Sequence, residues 1–379
     1  MTGEKFHFPV GYYQFHKDQV FNFQLNRWYS LGYARFEDMK EVAQRITNFE
    51  EWKTEMLKLA EKAVAEDRLM NAAFYYRAAE FYVLQGDPYK EPLYDKFIDF
   101  FYRAFEKDGI ERMKVPYQAA YLPAIRVPPA DTEKKGTIVM HGGFDSFIEE
   151  FYSWMRYFSE HGYEVISFEG PGQGGARKKF GLPLDWRWER PARAILDYFK
   201  LDDVTWLGIS MGGWFCFRAA AFEPRIKRVI ASSIAFDYMQ APSLLAQQLA
   251  KLFFTHLKRL TNRLTIRKMA KDKMHAWSVS NMMYIADKKT PVDAMDVVLQ
   301  LNEKNLHSEL VKQDVLVLTG REDHFIPFKM HDMQVKALTN ARSVTGRVFT
   351  REEQAQNHCQ IGNVGLALDV MVKWIEEKP

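Results

Sequence analysis

The chain has 379 residues, 47% hydrophobic and 27% charged, which marks it as globular, long for one domain and short for two full-sized ones. Its 52 basic and 49 acidic residues leave a formal net charge of +3, and that near balance gives no electrostatic case for nucleic acid or an anionic membrane. Two cysteines, Cys216 and Cys359, fit neither a disulfide framework nor a zinc site and read as small buried thiols. No stretch is apolar for the length that a bilayer span needs, and Met1 to His7 lack a basic region followed by an apolar run. The expectation is therefore a cytoplasmic protein with no metal and no cofactor.

In chain order, residues 1–112 look helical throughout. Amphipathic segments begin at Val20 and at Phe49, a third runs from Asn71 to Leu84, and a fourth from Tyr94 to Phe105. The third stops at Gly86-Asp87-Pro88, a strong breaker. No fixed period recurs, so a repeat array is not expected.

The pattern changes at Val115-Pro116. Tyr117 to Val127 alternates like a strand. Short buried strands follow at Thr137–Met140, Glu164–Phe168, Val204–Ile209 and Lys227–Ala231, separated by helical stretches at Ile148–Ser159, Trp186–Phe199 and after Gly212. This alternation implies a mostly parallel sheet covered on both faces. It breaks over residues 236–313, which read as helical with no convincing strand. A connection that long suggests a functional insertion. The sheet resumes at Val315–Leu318 and near Val344–Phe349, and a helix from Val364 to Ile375 closes the chain. The expected organisation is a helical region over 1–114 and a catalytic domain over 115–379, with the insertion at 236–313 inside it.

The chemistry centres on Gly208-Ile209-Ser210-Met211-Gly212, which sits between a buried strand and an apolar helix. A strand–turn–helix of the form Gly-x-Ser-x-Gly lifts a serine hydroxyl above the sheet edge, and the glycines permit the close crossing. Ser210 is thus the candidate nucleophile. A serine hydroxyl needs a base within hydrogen-bond reach and a group that orients the base. Ligands of such sheets lie outside the carboxyl ends of the strands, so the partners should come from loops after later strands. Asp323, in Gly320-Arg321-Glu322-Asp323-His324 directly after Val315–Leu318, is the natural acid, with Glu322 its competitor. His358, after the last strand, is the candidate base; His324 is a poorer one because it shares the acid's loop. His141-Gly142-Gly143-Phe144 follows an earlier strand, and its glycines let backbone approach an oxyanion. The Met211 N–H and an N–H from Gly143 or Phe144 are the candidate oxyanion donors. Gly170-Pro171-Gly172-Gln173-Gly174 has neither the P-loop ending nor the dinucleotide spacing and reads as a tight turn beside the cleft. Phe144, Trp214, Phe236, Tyr238 and Met239 are candidate pocket walls.

From residue 115 onward these motifs resemble the α/β-hydrolase superfamily, through His141-Gly142-Gly143, Gly170-Pro171-Gly172-Gln173-Gly174, Gly208-Ile209-Ser210-Met211-Gly212, Gly320-Arg321-Glu322-Asp323 and His358. The front, with Tyr75-Tyr76-Arg77-Ala78-Ala79-Glu80-Phe81-Tyr82, resembles the capped subgroup that includes the FrsA-like esterases and the 2,6-dihydroxypseudooxynicotine hydrolase. The resemblance implies a fold of mostly parallel sheet with helices on both faces, and a cap made by the front helices and the insertion. It also implies cleavage of an ester, or of a carbon–carbon bond next to a ketone, in a small-molecule carbonyl substrate that is mostly apolar, aromatic or polyketide-like. A prolyl-oligopeptidase-like peptidase and a non-catalytic binding protein are the alternatives. Neither nucleic acid nor membrane is an expected partner, and the helical elements lean toward a homodimer.

Overall fold

Val204-Thr205-Trp206-Leu207-Gly208-Ile209 is apolar without alternation, and such a run is stable as a strand only when both of its faces are covered. In a computed structural model, which describes residues 6–130, 133–239 and 252–378, it is a fully buried strand near the middle of an eight-stranded sheet. The strands are β1 (Glu111–Tyr117), β2 (Ala120–Val127), β3 (Gly136–His141), β4 (Tyr163–Phe168), β5 (Val204–Ile209), β6 (Ile226–Ser232), β7 (Asp314–Gly320) and β8 (Ser343–Phe349). Their order is β1-β2-β4-β3-β5-β6-β7-β8. β2 pairs antiparallel with β1 and with β4, and every other neighbouring pair is parallel. The carboxyl ends of β3, β5, β6, β7 and β8 therefore lie along one rim.

The first hairpin differs from the sequence expectation. Tyr117 to Val127 is not one strand. Glu111–Tyr117 turns through Gln118, at φ 53°, and returns as Ala120–Val127, so the sheet begins inside the stretch read as helical. β1 is the sheet edge and is mostly exposed; Met113, Val115 and Tyr117 alternate inward, but Pro116 interrupts the run as a breaker would. Its Pro116 is tolerated there because an edge strand can lack one N–H. The turn also lacks the Asn-Gly or Gly-Gly pair that usually signals a two-residue hairpin.

Among the described residues the front holds five α-helices: Gln19–Ser30, Phe36–Ala43, Phe49–Ala65, Leu69–Phe81 and Lys90–Ala104. Asp18 caps the first by accepting from the Val20 N–H, and Asn48 caps the third by accepting from the Glu50 and Glu51 N–H groups. Every residue from Asn71 to Phe81 is buried, so Leu69–Phe81 is the central helix around which the others pack. It ends three residues before the expected Leu84, which is exposed. The short helix Phe36–Ala43 had no expectation attached. The apolar core of the front runs without a break into one face of the sheet, through Trp154, Met140 and Trp374.

Between β6 and β7 the described residues are helical, as Lys258–Lys271, Lys273–Ile285, Pro291–Val298 and Glu303–Leu306, with no strand among them. Residues 240–251 of the expected insertion, and the chain start at 1–5, lie outside the described residues. Trp277 fastens the insertion to the front: its ring stacks on Phe81 at 5.1 Å, and its Nε1 donates to the Phe81 carbonyl at 2.7 Å. Both cysteines are free and buried.

Candidate active site

The turn after β5 forces Ser210 to φ 60°, a conformation that a non-glycine residue keeps only when its surroundings hold it there. Gly208 and Gly212 make the turn feasible. A Cβ on Gly208 would run into the Gly212 carbonyl, and a Cβ on Gly212 would lie 2.6 Å from the Gly142 carbonyl. The Ser210 N–H donates to Ser232 O at 2.9 Å, which ties the elbow to the end of β6.

Asp323 follows β7 and His358 follows β8. The two loops are joined where the Glu322 N–H donates to Gln356 O at 2.8 Å, and a Cβ on Gly320 would collide with the backbone of Gln356 and Asn357. His358 Nε2 lies 2.9 Å from Ser210 Oγ, and His358 Nδ1 lies 2.7 Å from Asp323 Oδ2. Asp323 Oδ1 accepts from the N–H groups of Phe325 at 2.9 Å and Ile326 at 3.0 Å, and Oδ2 accepts from Ser233 Oγ at 3.1 Å. Burial works against the Asp323 charge, but His358 and these hydrogen bonds outweigh it and hold its pKa below the usual carboxylate value. Burial likewise opposes a charge on His358, and the Asp323 carboxylate overrides it, placing His358 well above the ordinary imidazole value. Glu322 points elsewhere and pairs with Arg351 near the surface. His324 packs edge-on against Phe23 at 4.7 Å; burial first, then the His358 charge, pushes its pKa down to about 4.

The backbone around this constellation is strained in several places at once. Ser233, Cys359 and Gln360 all have positive φ, at 66°, 51° and 57°. Ser233 Oγ accepts from the Cys359 N–H at 3.2 Å, and Ser232 Oγ donates to Gln360 Oε1 at 2.9 Å. Ser233 thus fixes both the acid and the residue after the histidine. It escaped sequence reading, although its place just past a strand's carboxyl end is a signal for it.

The loop after β3 crosses over the elbow. A Cβ on Gly143 would sit 2.8 Å from the Met211 nitrogen, so only glycine fits. The Gly143 N–H faces Ser146 Oγ at 3.3 Å, whereas the N–H groups of Met211 and Phe144 have no acceptor among the described residues. Gln173 holds the loop from behind. Its Nε2 donates to Gly142 O at 2.6 Å while its Oε1 accepts from the Gly170 N–H at 3.0 Å, so the glycine-rich turn is a brace for this loop. His141 is fully buried, accepts from Trp206 Nε1 at 2.9 Å, and is pushed down to about 3 by burial, which keeps it neutral.

Ser210 and His358 open into a cavity of about 510 Å³. Its walls come from three places: the first front helix (Phe23, Arg27), the insertion (Trp277, Met282) and the loops after the strands (Phe144, Tyr238). Of the five expected wall residues, Phe144 and Tyr238 line it. Trp214 and Phe236 are buried in the apolar core and do not line it, and Met239 is not among the lining residues either. Lining residues on Gln19–Ser30 were missed, although their spacing at 20, 23, 24 and 27 is that of one helix face. Among the described residues no group of three or more His, Cys, Asp or Glu side chains could hold a metal ion, and no helix is long and apolar enough to cross a membrane.

The sheet order, the elbow and the loop that crosses it coincide with a known family. The family model of the alpha/beta hydrolase fold matches residues 137–348, more than half of the chain, and the chain belongs to that family. It is an enzyme of the hydrolase class. Among characterised relatives, the hydrolase acrC of Aspergillus aculeatus is 25% identical over 316 residues, 72% of this chain and 70% of that one. The hydrolase LUC6 of a Fusarium species is 28% identical over 291 residues, 68% of this chain and 66% of that one. The fold of most of the chain is shared with solved structures. The 2,6-dihydroxy-pseudo-oxynicotine hydrolase superposes with a TM-score of 0.66 at 20% identity, covering 92% of this chain and 94% of its own. AbyA5 superposes with a TM-score of 0.68 at 18% identity, covering 95% of each.

Proposed function

We propose that the chain is a serine hydrolase that cleaves an ester, or a carbon–carbon bond next to a ketone, in a small to medium, mostly apolar carbonyl compound. The observation that carries this reading is the 2.9 Å separation between His358 Nε2 and Ser210 Oγ, with Asp323 at 2.7 Å from the other ring nitrogen. Ser210 Oγ adds to the substrate carbonyl as His358 Nε2 takes its proton. Asp323 keeps the Nδ1 proton in place and stabilises the imidazolium. The Met211 and Phe144 N–H groups receive the oxyanion, and their lack of other partners favours Phe144 over Gly143 for this task. His358 then protonates the leaving group, and water activated by the same nitrogen hydrolyses the acyl-serine.

The cavity of about 510 Å³ suits a ligand of modest size. The front helices and the insertion supply much of its wall, so in this reading they act together as a cap. The helical front also counts against a prolyl-oligopeptidase-like peptidase, and a strained serine aligned with a histidine and an acid counts against a mere binding protein. Turnover of phenyl acetate by purified protein tests the reading. The Ser210→Ala variant, folded as judged by circular dichroism, should fall to the uncatalysed rate. Wild-type-like turnover by that variant would overturn the proposal.

A further inference from the structure

Val20, Phe23, Gln24 and Arg27 stand on one face of Gln19–Ser30, and all of them line the cavity that holds Ser210. Arg27 is the one Lys or Arg among the described lining residues. Its Nη2 donates to Glu150 Oε2 at 2.6 Å, and its Nη1 lies 3.7 Å from Asp145 Oδ1, beside the loop that crosses the elbow. Its guanidinium carbon is 5.3 Å from the Phe81 ring centroid, over another wall residue.

Arg27 shares Glu150 with other donors, since it holds Oε2 while Oε1 is served from elsewhere. Arg77 Nε donates to Glu150 Oε1 at 2.8 Å, as does the Phe147 N–H at 2.8 Å. Arg27 has five N–H donors, more than its two carboxylate neighbours use. One turn earlier, Gln24 is 4% exposed and its carboxamide oxygen has no hydrogen-bond partner among the described residues. A buried polar group left unpaired costs free energy, so a wall that sets the unpaired Gln24 oxygen beside Arg27 is suited to a ligand with a polar group of its own.

Ester cleavage makes little demand on that wall, because the departing oxygen takes its proton from His358. Carbon–carbon cleavage does make one, because the departing carbon carries an electron pair that must be delocalised before it is protonated. We infer that Arg27 is a catalytic residue that binds the enolate oxygen released from a β-diketone substrate, an inference that rests on Ser210 being the nucleophile. Ser210 oxygen bonds to one carbonyl carbon and its proton passes to His358. The adduct collapses by breaking the bond from that carbon to the α-carbon, and the electron pair moves onto the second carbonyl oxygen, where an Arg27 N–H receives it. The His358 proton then goes to the α-carbon, releasing a ketone. Water hydrolyses the acyl-serine to a carboxylic acid and restores the Ser210 hydroxyl. Gln24 offers an acceptor beside Arg27 for a hydroxyl of the same substrate.

Benzoylacetone and phenyl acetate test this, since both can donate an acetyl group to Ser210 and only the first leaves as an enolate. For Arg27→Met, the loss of kcat on benzoylacetone should exceed the loss on phenyl acetate by about tenfold to hundredfold, as for removal of a donor to developing charge. Arg27→Lys, which keeps the charge and loses the fork, should show the same bias more weakly and serves if the methionine variant does not fold. Equal losses on the two substrates would assign Arg27 a structural role and overturn the inference. Wild-type protein that turns over phenyl acetate through Ser210 but leaves benzoylacetone untouched would also overturn it, while leaving the serine reading intact. If neither substrate is turned over and Ser210 is inert, it is the serine reading that fails.

Discussion

Two carboxylates stand side by side at 322 and 323, and their surroundings separate them. Asp323 is buried, accepts two backbone N–H groups and touches His358, whereas Glu322 pairs with Arg351 near the surface. Asp323→Asn is expected to lower kcat by about 10³- to 10⁴-fold, through loss of the correct imidazole tautomer and of the countercharge. Glu322→Gln should stay within about threefold of wild type, as expected for a surface ion pair. Steady-state kinetics of the two variants on phenyl acetate decide this, and comparable losses would show that the wrong carboxylate was assigned. The raised pKa of His358 has its own consequence, because the base works only when neutral. The acidic limb of kcat/KM should therefore have its midpoint above pH 6.5, and Asp323→Asn should move it downward. A wild-type midpoint at or below that value would contradict the pairing. For stability, the raised His358 contributes fully below the unfolded imidazole pKa and loses its contribution as pH rises through its folded pKa. The depressed Asp323 contributes above the unfolded carboxylate pKa and loses its contribution as pH falls through its folded pKa. Both contributions coexist from about pH 4 to pH 6.5.

The elements that bear the site are short loops held by their neighbours. Gly143 passes over the elbow so closely that a methyl group would press on the Met211 nitrogen. Gly143→Ala should therefore displace the loop and lower kcat by about a hundredfold, the usual effect of losing an oxyanion donor. Burst kinetics with a chromogenic ester would read the slowed acylation, and an unchanged burst rate would show that the loop does not take part. Loops and strand ends of this kind were legible in the sequence. Glycines at 208, 212 and 143 are demanded by close backbone approach, and the fully buried strands carry unmistakable apolar runs. Other elements were not legible. The edge strand Glu111–Tyr117 alternates between exposed Arg112, Lys114 and Pro116 and inward Met113, Val115 and Tyr117, but only two of its residues are buried and Pro116 reads as a breaker. Gln173 looked like a turn residue because the backbone carbonyl it braces lies thirty-one positions away in sequence. Ser233 reaches the acid across ninety positions, a pairing that only the folded sheet brings about.

At the scale of the molecule, the helical front is part of the same apolar body as the sheet. Trp28, Phe74 and Trp52 belong to one continuous cluster with Met140, Trp154 and Trp374, and the buried Arg77–Glu150 pair crosses the same boundary. Residues 110–379 expressed alone, which keep all of β1, should expose this face, and so lack cooperative thermal unfolding and elute as aggregates on size exclusion. A monomeric fragment with a sharp transition would show the front to be a separable unit. The sequence changes periodicity near residue 115 and again near 236, which is where the expected division into front, sheet and insertion comes from. The pocket walls were not legible there, because Trp214 and Phe236 pack in the same apolar cluster that Phe144 touches, and only the folded chain separates core from lining. The central claim, that Ser210 is a nucleophile activated by His358, is tested most directly by reacting the intact protein with a fluorophosphonate and mapping the adduct by mass spectrometry. One stoichiometric adduct on Ser210 is expected, absent from Ser210→Ala and strongly slowed in His358→Ala. A folded wild-type protein that takes up no label, or takes it up on another residue, would contradict that claim.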